Sequence, residues 1–177
     1  MLVMLATVAL AQDVGQPAGT TKKRDAVITG QTSAPAAGQC TAASSDGSMG
    51  YENQCPVGTC SCLQIANAKV KGSLAGKGTA DVFITVDDGL VITPGGCTPI
   101  YGIANLTTKL RGIAIVETMN FAGASCPAPP IRRGKAMVSG AFGIQSSSIS
   151  STGFGLVTGT GLGSHAAQLK FDGAVTQ

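Results

Sequence analysis

Six cysteines are the residues whose type and spacing most directly predict chemistry in this sequence. They are Cys40, Cys55, Cys60, Cys62, Cys97 and Cys126. An even number of cysteines in an exported chain predicts that all six form disulfides, three in total, although the sequence leaves the pairing open. The side chains of Cys60 and Cys62 would lie on the same face of a strand, so we expect each to bond to a different partner. Cys97 and Cys126 lie in turn-like contexts, which suits a bridge between two turns.

A metal site is the alternative interpretation of these cysteines. Cys55, Cys60 and Cys62 are clustered, and His165 is the sole histidine. Structural zinc sites use closely spaced pairs of ligands that occur twice, and this chain has no second pair. It also lacks the C-x-x-C spacing of a redox motif. We therefore expect disulfides, with no metal and no cofactor.

The carboxylates predict no catalytic pair. Asp81 and Glu117 fall within predicted strands and could in principle face a cleft, as the paired acids of glycosidases do. Because an unpaired buried charge is costly, we expect both side chains on the solvent-exposed face of the sheet. His165 lies in a predicted turn, and no G-x-S-x-G nucleophile motif occurs in the chain. The sequence thus predicts a protein that is not an enzyme and assigns no catalytic residue.

Asn105 begins the tripeptide Asn-Leu-Thr, which matches the N-glycosylation sequon. We expect a glycan there if the source is eukaryotic. The glycine-rich segments 76–78 and 159–163 both precede predicted strands. A dinucleotide-binding fingerprint must instead open a helix, so neither segment predicts a nucleotide site.

The N-terminal residues 1–11 read MLVMLATVALA and have the apolar run and small-residue ending of a signal peptide. The run is too short to span a bilayer. No basic residue precedes it, and a short buried strand or helix is the alternative. We predict a signal peptide at 1–11, a flexible leader or arm at 12–39 and a single all-β domain at 40–177. Lys23-Arg24 could be a dibasic processing site or an exposed charge cluster.

Alternating apolar and polar residues predict strands through the rest of the chain. Asp87-Asp88-Gly89 predicts a hairpin between a strand at 79–86 and an apolar segment at 90–92. The sequence therefore predicts an all-β, antiparallel sandwich or barrel of about seven to nine strands, stapled by disulfides. The further predicted strands are 63–70, 99–108, 113–121, 135–142, 154–160 and 167–175.

The composition narrows the class of partner. Only 12% of residues are charged, with a net charge of +3, and aromatic residues make up 4%. Typical soluble chains carry about 25% charged residues. The basic segments 22–24 and 132–135 lack the interleaved aromatic residues of a nucleic-acid binder. We expect no nucleic-acid partner and no membrane span.

These observations favour a secreted, non-enzymatic extracellular structural or self-assembling β-domain. Its partner would be itself, as a homo-oligomer or filament, or an extracellular surface. Charge-poor strand edges could pair between subunits, and the arm could add to a neighbouring sheet. The alternative is a secreted barrel that binds a small ligand or a protein, and a hydrolase is the third candidate.

Overall fold

The computed structural model of this chain describes residues 20–34, 60–73, 76–87, 96–127, 136–163 and 166–176. These residues form a closed antiparallel barrel of eight strands, which confirms the predicted all-β fold and resolves it as a barrel. They include no helix of the length and hydropathy that a membrane crossing requires. The strands are β1 (Thr21–Gly30), β2 (Cys60–Gly72), β3 (Gly76–Asp87), β4 (Thr98–Leu110), β5 (Ile113–Cys126), β6 (Ala136–Ser147), β7 (Thr152–Leu162) and β8 (Ala167–Thr176).

Each strand pairs with the next one in the chain, and β8 pairs with β1 to close the barrel. The closing ladder runs from Thr21 opposite Thr176 to Gly30 opposite Ala167. Closure removes the unpaired edges of a sheet, because every strand then has two neighbours. The β1–β2 ladder is the shortest of the eight, with three residue pairs and an isolated bridge between Ser33 and Gln64.

Strand β1 lies within the segment 12–39 that the sequence indicated to be a flexible leader. The structure differs from that expectation for residues 21–30, which complete the barrel. Ala26 and Ile28 of this strand are fully buried in the core, and this burial fixes β1 in place. The sequence signal for this strand is weak, because only the apolar residues 26–28 follow the basic segment 22–24 before a stretch rich in Thr, Ala and Gly. Residues 25–30 consequently pair with their own barrel and do not form an arm for a neighbour.

The other predicted strands that the structure describes are confirmed. The segments 63–70, 79–86, 99–108, 113–121, 154–160 and 167–175 all lie within strands, and 135–142 does so from residue 136 onward. Several further predictions fall outside the described residues: the signal peptide at 1–11, the apolar segment at 90–92, Cys40, Cys55 and His165.

The barrel interior is packed with side chains around three phenylalanines. The ring centroids of Phe121 and Phe171 lie 5.6 Å apart, and those of Phe142 and Phe171 lie 5.3 Å apart, both edge to face. Such a geometry is preferred by aromatic pairs. Gly102 lies opposite Phe121 on the neighbouring strand, and a Cβ at this glycine would overlap the Phe121 ring. Glycine in these strands therefore makes room for large interior rings.

A disulfide between Cys97 and Cys126 closes one end of the β4–β5 ladder. It follows the paired residues Thr98 and Ser125, so it joins two adjacent strands. The sequence suggested a bridge between two turns, whereas Cys126 is the last residue of β5. Cys62 is also disulfide-bonded.

Candidate functional site

Glu117 faces the barrel interior and is only 1% exposed, so the expectation that it lies on the solvent face is wrong. Its Oε1 accepts hydrogen bonds from the hydroxyls of Ser147, at 2.9 Å, and Ser151, at 2.6 Å. Both serines flank the turn between β6 and β7. The serine-rich turn thus supplies donors to one carboxyl oxygen, whereas the buried Oε2 has no hydrogen-bond partner among the described residues.

Asp81 lies on the outer surface of β3, as expected from the sequence. Its Oδ1 accepts a hydrogen bond of 2.8 Å from the backbone N–H of Asn67, at the irregularity in the β2–β3 ladder. Because Asp81 points outward and Glu117 inward, the barrel wall separates the two carboxyl groups. They do not form the paired acids that glycosidase chemistry needs.

Asn105 and Thr107 of the sequon are both exposed on β4. The Oδ1 of Asn105 accepts a hydrogen bond of 3.0 Å from the hydroxyl of Thr118 on β5. Glycosylation of Asn105 stays a prediction. Within the described ranges, no three histidine, cysteine or acidic side chains come together as a metal site.

The outer surface of β5, β6 and β7 carries no charged side chain. These neighbouring strands have 14, 12 and 11 residues, and Glu117, which is buried inside, is the sole charged residue among them. We call this surface, formed by the outward side chains of the three strands, the uncharged face. All other charged strand residues that the structure describes lie on the remaining five strands.

Five large apolar side chains are exposed on the uncharged face: Ile113, Val116, Met137, Phe154 and Leu156. Phe154 is 74% exposed and Leu156 is 66% exposed, both on β7. Their partners on β6 are Gly143 and Ala141, which are too small to cover them. Scattered exposed apolar residues are common, but two adjacent ones on an uncharged surface form a patch of the kind that marks interaction sites. The sequence signal for this patch is the alternation of glycine with Phe154 and Leu156.

Three lysines form a contiguous row on β2, β3 and β4, the last of which borders the uncharged face. Lys71 of β2 is paired with Lys77 of β3, which is in turn paired with Lys109 of β4. All three are exposed. We call them the lysine row. No sequence pattern indicates this row, because the register between strands brings together residues that are distant along the chain.

Further basic residues surround a depression of about 660 Å³ at the end of the barrel where the β4–β5 turn lies. Lys22, Lys23, Arg24 and Arg111 line it. Arg24 donates a hydrogen bond of 2.9 Å from Nη1 to the carbonyl of Ser73. Arg24 therefore also ties β1 to the turn that follows β2.

Asp25 is held at the same end of the barrel by Ser73. The Ser73 hydroxyl donates to Oδ1 of Asp25 at 2.7 Å, and the Ser73 backbone N–H donates to the same oxygen at 3.2 Å. These hydrogen bonds, chiefly the one from the hydroxyl, hold the pKa of Asp25 below its ordinary value.

No family model matches the chain, and comparisons with curated proteins and with solved structures give no match either.

Proposed function

We propose that this chain is a secreted, non-enzymatic barrel that assembles with copies of itself through the uncharged face. The observation that carries the proposal is the high exposure of Phe154 and Leu156 on a surface without charge. Burying these side chains against a partner removes apolar area from water, which is the main driving force of association. The charged group beside the patch is Asp172, the partner of Leu156 on β8, which already pairs with Lys23 and Lys170.

A second copy of the chain is the partner that this surface fits best. In a two-fold symmetric dimer the same patch is used by both subunits, so it must be complementary to itself. A charged patch would place like charges together in such an arrangement, whereas the uncharged face does not. Phe154 of one subunit and Leu156 of the other can pack side by side about the two-fold axis.

The dimensions of the face predict a weak interface. Three strands are roughly 14 Å wide, and 11 residues of strand are about 36 Å long, which gives about 500 Å² per subunit. The total of about 1,000 Å² is at the lower limit of specific interfaces. We therefore expect a concentration-dependent dimer, in which monomer and dimer are both populated.

Export from the cell is part of the proposal. The apolar segment at residues 1–11 and the bonded cysteines support it, because disulfides persist mainly in oxidising compartments. The packed interior supports assembly over the alternative of a ligand held inside the barrel, since the three phenylalanine rings occupy the space that such a ligand would need.

The test of assembly is sedimentation velocity of the purified protein over a wide concentration range. We expect a monomer–dimer equilibrium that is abolished in the double variant Phe154→Glu and Leu156→Glu. The matched control is Thr29→Glu with Thr79→Glu, which adds the same charge to outward positions on β1 and β3. A monomer at every concentration, or a dimer that both double variants retain, would overturn the proposal.

Export is tested separately by expressing the full chain in a secretory host and determining the N-terminus of protein recovered from the medium. Cleavage after Ala11 leaves Gln12 as the first residue, and this is the expected result. Retention of the whole chain inside the cell, with Met1 in place, would contradict it.

A further inference from the structure

We propose that the lysine row binds the negatively charged groups of an acidic polysaccharide. The row lies on β2, β3 and β4, whereas the uncharged face lies on β5, β6 and β7. The inference thus concerns a second surface. It depends on the proposed export of the chain, which would bring the row into contact with extracellular polysaccharides, but it does not depend on self-association.

The register of the barrel fixes the spacing of the lysines. Lys71, Lys77 and Lys109 occupy directly paired positions on three consecutive strands. Neighbouring strands lie about 4.8 Å apart, so the three side chains emerge within about 10 Å of one another. Lys69 lies two residues before Lys71 and is also exposed, so it extends the positive surface along β2.

No ion pair among the described residues involves a lysine of the row. The ion pairs found among them join Asp172 to Lys23, at 3.6 Å, and to Lys170, at 3.3 Å. Asp81 is the acid on the outer face of β3, and its carboxylate is turned to the backbone N–H of Asn67. The ammonium groups of the row therefore face solvent and one another.

We expect this arrangement to lower the stability of the barrel. Like charges at directly opposed positions of an antiparallel pair repel each other, and Lys77 has such a neighbour on both sides. Local features that reduce stability are characteristic of binding sites, where they are retained because a ligand compensates for them. A polyanion would neutralise all three lysines at once and release its own counterions.

The shape of the surface indicates which anion fits. The lysines stand in a line on the convex outer wall, where a linear polyanion can lie across the strands and a small anion finds no enclosing pocket. The outward residues next to the row on β3 and β4 are Thr79 and Thr107, which offer hydroxyl groups to a sugar. The aromatic platforms on which single-stranded nucleic acids stack are absent from these neighbouring positions.

The experiment measures binding of the full chain to heparin, a sulfated polysaccharide, and to polygalacturonate, a carboxylated one. Isothermal titration at low and moderate salt gives the affinity and its salt dependence. The double variant Lys77→Gln and Lys109→Gln should bind at least roughly fivefold more weakly and show a shallower salt dependence. The matched control, Lys23→Gln with Lys170→Gln, removes the same charge from the two lysines that already pair with Asp172 and should bind nearly as the parent does.

A further variant tests whether binding depends on the positive charge at position 77 or on the shape of the lysine side chain. Lys77→Arg keeps the positive charge and should retain the affinity for both polysaccharides. Equal loss in the two double variants would overturn the proposal, because net charge would then explain binding. Absence of binding to both polysaccharides would also overturn it, as would tighter binding to single-stranded DNA or to vesicles of anionic lipid. None of these results affects the sedimentation test of the uncharged face.

Discussion

The hydroxyl of Ser151 donates a hydrogen bond of 2.6 Å to Oε1 of Glu117, a carboxyl group that is 1% exposed inside the barrel. Ser147 donates to the same oxygen from the other end of the turn between β6 and β7. The carboxyl group therefore holds both ends of this turn against the barrel. Its partners are hydroxyl groups of a connecting segment, which is typical of a structural role.

Replacing Glu117 by leucine should lower the free energy of unfolding by about 1–3 kcal/mol, because the hydroxyls of Ser147 and Ser151 lose their buried acceptor. Glu117→Gln keeps an oxygen at this position and should cost less. Urea denaturation followed by circular dichroism measures both changes. Asp172→Asn, which alters an acid on the outer surface, serves as the control and should stay within about 0.5 kcal/mol of the parent. A Leu variant as stable as the control would contradict the structural role of Glu117.

Gly102 and Phe121 provide a second prediction about the interior. A methyl group at Gly102 would overlap the Phe121 ring, so Gly102→Ala should destabilise the barrel by about 1–3 kcal/mol. The measurement is again the free energy of unfolding in urea. Gly143→Ala is the matched control, since the nearest atom to a Cβ there is 3.9 Å away. Combining Gly102→Ala with Phe121→Leu should recover part of the loss, and additive losses would show that the overlap is not the cause.

The sequence predicted the all-β fold because strand alternation depends only on local side-chain periodicity. It could not choose a barrel over a sandwich, since closure depends on the pairing of β1 with β8, at opposite ends of the described chain. The sequence also predicted that Glu117 lies on the solvent-exposed face, because a strand pattern does not reveal the hydrogen-bond donors on a turn that is distant along the chain. The lysine row could not be predicted from the sequence either, because the register between strands creates it and the spacing along the chain does not reveal it.

Asp25 gives a prediction about pH. Hydrogen bonds from Ser73 depress the pKa of Asp25 in the folded state, so the unfolded chain takes up a proton there more readily. The stabilisation is present above the unfolded pKa of about 3.9 and is lost as the pH falls through the lower folded value. Ser73→Ala should return the pKa of Asp25 towards its ordinary value and reduce the loss of stability below about pH 4. Carboxyl chemical shifts of Asp25, followed by NMR from neutral to acid pH, measure this directly, and an unchanged midpoint in the variant would exclude Ser73 as the cause.

The lysine row makes a last prediction that needs no ligand. Lys77 is directly opposed by Lys71 on one side and Lys109 on the other, so Lys77→Gln removes two repulsive contacts. Cross-strand pairs contribute roughly 0.2–1 kcal/mol each, and the variant should therefore be more stable than the parent by a similar amount at low salt. The gain should diminish as the ionic strength rises, because the repulsion between exposed charges is screened. Thermal unfolding at low and high salt measures it, with Lys22→Gln as the control outside the row. If both variants respond to salt equally, Lys77 experiences only the overall charge of the protein; a gain confined to Lys77→Gln places the repulsion within the row, where a bound polyanion would relieve it.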